Sequence, residues 1–174
     1  MQHERSLADT AFPDDAGDAT PNTRSALAAA TGSTDPGDYL RAVAALCADR
    51  VLVPVVATAT RLGEPVGGLV SDKEAEMSVV LLQARDGRRA MLAFTGLDAL
   101  QMWDATARPV PVTLDLAAQS AQNDGAAALL IDVAGPSPLA IEGDILAELA
   151  AGHRLTELPG NQFGWVVPHV VRKK

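Results

Sequence analysis

The chain has 174 residues, 48% hydrophobic and 21% charged, with 22 acidic against 14 basic side chains and a formal net charge of -8. This composition is that of a globular chain rather than a disordered one, and the length suits one domain on a prior of roughly 150 residues each. So acidic a balance lacks the clustered Lys and Arg that displace counterions from a phosphate backbone, which excludes nucleic acid as a general partner.

Residues 1–32 are mostly small, polar or acidic, interrupted by Pro13, Gly17 and Pro21, and only 25–30 offer a brief helical turn. A flexible N-terminal arm is expected there. No basic segment followed by an apolar run opens the chain, and no stretch reaches the ~18 apolar residues that span a bilayer. Cys47 is the only cysteine, which excludes an intrachain disulfide and a cysteine-based metal site and fits a reducing compartment. The expectation is a cytoplasmic protein without a membrane partner.

Thr34-Asp35-Pro36 is a helix start, after which Tyr39, Leu40, Val43, Leu46 and Cys47 fall on one helical face. Cys47 on that face reads as a small core hydrophobe rather than a reactive thiol. The β-branched run 51–58 is a strand, and Pro54, which cannot donate to a ladder, predicts a sheet edge or a bulge. A long connection follows over 61–76, with Gly63, Pro65, Gly67 and Gly68 ahead of the charged run Asp72, Lys73, Glu74 and Glu76. Loops of that length are uncommon unless functional or disordered.

The segments 77–83 and 89–94 are apolar and of strand length, and Asp86-Gly87 between them is a hairpin signal because both residues tolerate positive φ. Apolar residues on both faces of the first strand predict a central position with helices over it. Thr95 is placed to cap a helix carrying Leu97, Leu100 and Trp103, with Asp98 in its first turn. Pro109 and Pro111 then break the helix and suggest a short extended segment. Leu114, Ala117, Ala118 and Ala121 mark a further helix that Thr113 opens and Asp124-Gly125 closes. Segment 126–133 reads as a strand, apolar throughout except Asp132, and 139–141 as a short one. A helix then carries Ile145, Leu146, Leu149 and Ala150 up to Gly152, and the tail holds one edge strand that Pro168 interrupts. The fold class expected is α/β, of an α+β-like kind. A mixed β-sheet with a central antiparallel hairpin is covered by helices in a single domain over 33–155, flanked by the arm 1–32 and a tail 156–174.

The sequence contains no phosphate loop, no dinucleotide fingerprint, no nucleophile elbow and no HExxH. His3, His153 and His169 are too far apart to suggest a metal site, and no cofactor is expected. The candidate binding residues are Asp72, Lys73, Glu74 and Glu76 at the end of the long connection, Arg85, Arg88 and Arg89 around the hairpin turn, and Trp103. The charged ones form either a recognition surface, in which Arg offers planar donors to carboxylates, or a solvated strand entrance and turn. Trp103 is either a core anchor or an interface hot spot.

The DKEAEM segment from Asp72, the RDGRRAMLAFTGLDAL segment from Arg85 and the ARPVPV segment from Ala107 together resemble the bacterial SseB family, in the N-terminal domain found in actinobacterial proteins. The resemblance spans 38–152, implies a cytoplasmic bacterial protein, and supplies no catalytic residues. Longer relatives continue into a second domain, whereas a short tail follows Gly152 here. Two functions fit. One is a non-enzymatic binding or regulatory module that meets a protein partner, or a second copy, through the 61–76 loop and the hairpin. The other is a small-metabolite-binding protein or accessory enzyme linked to serine or sulfur metabolism.

Overall fold

A computed structural model of the chain describes residues 11–58 and 76–169. Helix α1 (Pro21–Ala30) is a full ten residues rather than a brief turn. Pro21 suits a first-turn position, where its missing N–H costs nothing, and Leu27 and Thr23 are buried. Helix α2 (Pro36–Cys47) starts as its sequence predicts, the Asp35 carboxylate accepting the Gly37 N–H at 2.9 Å.

Strand β1 (Arg50–Thr58) lies between β2 (Glu76–Val79) and β5 (Arg108–Thr113), antiparallel to both. The expected edge position is therefore corrected: Pro54 sits in a middle strand. Its place follows from hydrogen-bond parity. Leu52 exchanges both backbone bonds with Phe94, at 2.7 and 2.8 Å, on the side away from β5, so the nitrogen of Pro54 faces that side too. The β1–β2 ladder ends at Val55 opposite Val79; the next pair would set Pro54, which has no N–H, against Val80. There the second strand leaves β1 and continues as β3 (Leu81–Gln83), bonded to β4 (Arg89–Ala93). The same parity points the nitrogens of Pro109 and Pro111 outward from β5, away from β1.

The second sheet has the order β3-β4-β6-β7, with β6 (Ala128–Ile131) parallel to β4 and β7 (Leu139–Glu142) antiparallel to β6. The hairpin forms around Asp86-Gly87, closed by the Ala84 N–H on the Arg88 carbonyl at 2.8 Å. Its first strand, however, is the edge strand of this sheet, and Leu82 is 38% exposed. The central place goes to β4, which alone of the two bonds on both sides.

Alternation along the strands builds two cores. Val51, Val53, Met91, Ala93, Leu129, Ile131 and Ile141 face α1, α2, α4 (Leu114–Asn123) and α5 (Gly143–Ala150). Leu52, Leu92 and Phe94 face α3 (Leu97–Trp103) on the other side. Burial of a Leu or Phe of this kind stabilises by about 1.5–3 kcal/mol each. The tail, expected to hold one strand, forms a hairpin of β8 (Arg154–Leu158) and β9 (Gln162–Val166), with β8 against α2. Among the described residues no helix is long and apolar enough to cross a membrane.

Candidate functional site

The parallel strands β4 and β6 end side by side, and the most buried polar cluster among the described residues forms where they stop. Asp132, directly after β6, donates its N–H to the Ala93 carbonyl at 3.0 Å and takes φ 49, a left-handed conformation that Asp tolerates better than most residues. Its carboxylate accepts the Thr95 N–H at 2.8 Å and the Thr95 hydroxyl at 2.6 Å. Both residues are buried, at 3% and 0% exposure. The expected capping role of Thr95 is thereby corrected: Gly96 is the N-cap of α3, without a side-chain bond, and the Thr95 hydroxyl is committed to Asp132.

Two arginines close over this pair. Arg24 of α1 donates from Nε to the Thr95 hydroxyl at 2.7 Å and grips Asp98 through both terminal nitrogens, at 3.1 and 2.6 Å. Arg50, at the head of β1 and only 6% exposed, donates to the Thr95 carbonyl at 2.5 Å. It also binds both oxygens of Asp15, at 2.5 and 2.9 Å, and the Asp18 carbonyl at 2.7 Å. Such bidentate guanidinium–carboxylate pairs are the strong, geometrically specific kind. The segment carrying Asp15 and Asp18 lies across the start of α3, where the Gly17 carbonyl accepts the Leu97 N–H at 2.8 Å. Gly17 has φ +84, and a Cβ there would run into the Leu97 side chain; a Cβ on Gly96 would come within 2.9 Å of the Ala19 nitrogen. Both glycines are required by this close crossing.

Beside the clasp is an open cleft of about 480 Å³, lined by Phe12, Asp18, Cys47, Asp49, Arg50 and Arg154 among others. Arg154 Nη2 lies 3.2 Å from Asp115 Oδ1, close enough for charge attraction but not aligned as a hydrogen bond. Burial pushes the Cys47 thiol up to about 11, so it is not a thiolate at neutral pH. Among the described residues no group of three or more His, Cys, Asp or Glu is arranged to hold a metal ion.

Asp72, Lys73 and Glu74 lie outside the described residues; of Glu76 only the backbone is described, paired opposite Thr58. Arg85 and Arg88 are exposed on the hairpin turn, and Arg88 Nε donates to Asp86 at 2.7 Å. Arg89 opens β4, its guanidinium beside Gly125. Trp103 is half-buried and stacks on Phe94 at 5.7 Å. The hairpin arginines and Trp103 therefore stand at opposite ends of β4 and form no common site. The His153 backbone N–H donates to the Glu148 carbonyl at 3.1 Å, and its ring Nδ1 lies 2.5 Å from the Glu148 carboxylate. Sequence reasoning missed Arg24, Arg50 and Asp15 entirely. One signal was visible, since Asp132 is the polar interruption of an otherwise apolar strand.

The carboxylates of the cluster respond to pH in opposite senses. Desolvation raises Asp132 above its ordinary 3.8, with the Thr95 bonds opposing. The hydrogen bonds from Arg50 and Arg24 hold Asp15 and Asp98 below 3.8. The stability tied to Asp132 is full below 3.8 and lost as pH rises through its raised folded value; that tied to Asp15 and Asp98 is present above 3.8 and lost as pH falls through their folded values. Asp132→Asn removes only the first effect. On acidification from about pH 6 to about pH 4, the wild type is therefore expected to gain stability relative to the variant. Urea midpoints measured across that interval check this, and parallel curves would contradict it.

The family model for the SseB protein N-terminal domain matches residues 24–148. That span holds Arg24, Arg50, Thr95, Asp98 and Asp132 and leaves out the Asp15 segment and the β8–β9 hairpin. No curated protein and no solved structure gives a match.

Proposed function

The chain belongs to the SseB family, matched through that family's N-terminal domain, and from this premise we propose that it is a non-enzymatic binding or regulatory module. Its partner is another protein, or a second copy, met in the cytoplasm through the 61–76 connection and the hairpin turn. The observation that carries this reading is the exposed charge at the hairpin turn. Buried Asp132 and Arg50 are saturated by protein partners, whereas Arg85, Asp86 and Arg88 are exposed at the tip of β3–β4. An exposed pair such as Arg88 with Asp86 holds its partners weakly, so both groups are free to exchange them for a carboxylate or guanidinium on another surface.

Affinity capture with the intact chain, and with a variant reversing charge at Asp72, Glu74 and Glu76, tests the reading by mass spectrometry. A partner held by the first and lost by the second is the expected result. Equal capture by both would remove the 61–76 connection from the reading. A second reading, a small-metabolite-binding protein or accessory enzyme linked to serine or sulfur metabolism, is favoured by the 480 Å³ cleft with Arg50, Arg154 and Asp49 on its walls. It requires a rise in melting temperature with one member of a metabolite panel that includes serine.

A further inference from the structure

We infer that the Arg50 clasp is a recognition site for an extended acidic peptide, and that residues 13–19 of this chain lie in it as an internal ligand. The two halves of the contact have different origins in the sequence. Arg50, Thr95 and Leu97 lie within the family-matched span, and Asp15, Gly17 and Asp18 lie before it.

The segment is held as a peptide ligand is held. One carboxylate takes a bidentate arginine, one carbonyl accepts from the same arginine, and one carbonyl accepts the Leu97 N–H. The ligand is also pre-shaped: the Asp15 carboxylate accepts the Gly17 N–H at 2.8 Å, a turn that presents the carboxylate to Arg50 before docking and lowers the cost of ordering. The motif read is therefore Asp, any residue, since Ala16 is exposed, then Gly in the left-handed conformation, followed by a residue that offers its carbonyl.

The site is suited to exchange. When the segment leaves, Asp14, Asp15 and Asp18 leave with it, and the Arg50 guanidinium keeps the Thr95 carbonyl but loses its bidentate carboxylate, with Asp49 the carboxylate still near it. A guanidinium whose five donors have lost two carboxylate oxygens and one carbonyl favours an acidic ligand that offers the same fork of acceptors. The segment does not fill the space either, since the cleft of about 480 Å³ beside it leaves room for a ligand with larger side chains. A partner bearing such a motif competes with the internal segment, whose occupancy sets the apparent affinity.

Gly17→Val in the full chain should dislodge the internal segment, because valine is strained at φ +84 and collides with Leu97. The probe is a fluorescent peptide of residues 11–20, AFPDDAGDAT, read by anisotropy at low ionic strength. The Gly17→Val chain, checked for cooperative unfolding, should bind it at least about tenfold more tightly than the wild type does. A probe carrying Asp15→Asn should lose about tenfold or more of that affinity. A second chain, Asp15→Ala, empties the clasp without steric change and should show the same gain. A folded variant that ignores the peptide, or binds the Asp15→Asn probe equally well, would overturn the proposal. So would failure of both chain variants to fold, since the segment would then be part of the core and not a displaceable ligand.

Discussion

Arg50→Ala is expected to destabilise the protein by about 3–5 kcal/mol, the range found when one member of a buried ion pair is removed. Arg50 is 6% exposed and satisfies the Asp15 carboxylate and the carbonyls of Thr95 and Asp18 together. Removing it strands all three. The Asp15 side chain is itself 15% exposed, so water compensates in part and the lower end of the range applies. Arg50→Lys should recover less than half of the loss, because an ammonium cannot span both Asp15 oxygens and two carbonyls in the plane that the guanidinium fixes. Urea midpoints at neutral pH measure both variants. A loss below about 1 kcal/mol would mean that the clasp carries little of the stability of the fold.

The second large effect is expected at Asp132. Alanine there leaves the Thr95 N–H and hydroxyl without their acceptor inside the protein, at about 1–3 kcal/mol for a buried group. It also places a residue with no polar side chain at φ 49, which adds about 1 kcal/mol or more. The sum is about 3–4 kcal/mol for Asp132→Ala. Asp132→Asn keeps an acceptor oxygen and the conformational tolerance, and should cost about half as much. Combined with Thr95→Val, the alanine variant should lose less than the sum of the single losses, because the two changes remove the same bonds. Additive losses would mean that the bonds between Thr95 and Asp132 contribute nothing of their own.

The elements legible in the sequence are those whose signals are local. Asp35 caps α2 two residues away, Asp86-Gly87 turns the hairpin, and Gly152 ends α5, each by chemistry contained in a few neighbouring positions. The site had no such signature. Asp15 and Arg50 are 35 residues apart, Arg24 and Thr95 are 71, and Thr95 and Asp132 are 37. Nothing in the spacing of these residues brings them together; the parallel register of β4 and β6 sets Thr95 beside Asp132, the Leu52–Phe94 bridge brings the head of β1, and the Gly17–Leu97 bond brings the Asp15 segment. Pro54 misled because the rule for proline in strands assumes one neighbour along each side, while β1 changes neighbour at that residue. The β8–β9 hairpin was hidden by composition, since β8 buries only Leu155 among Arg154, Thr156 and Glu157 while Leu158 is exposed, and so shows no apolar period of its own. Thr95 was assigned the cap its type favours locally, and a buried carboxylate from a distant strand outcompeted it.

Pro109 and Pro111 also determine what the free rim of β5 offers an incoming strand. Of the three outward positions along it, Pro109, Pro111 and Thr113, only Thr113 retains an N–H. Stacking of the cross-β kind needs an unbroken row of donors and acceptors. The valine-bearing strand, with Val110 39% exposed, therefore shows an approaching chain carbonyls with too few donors beside them, and it cannot seed fibre growth from that side.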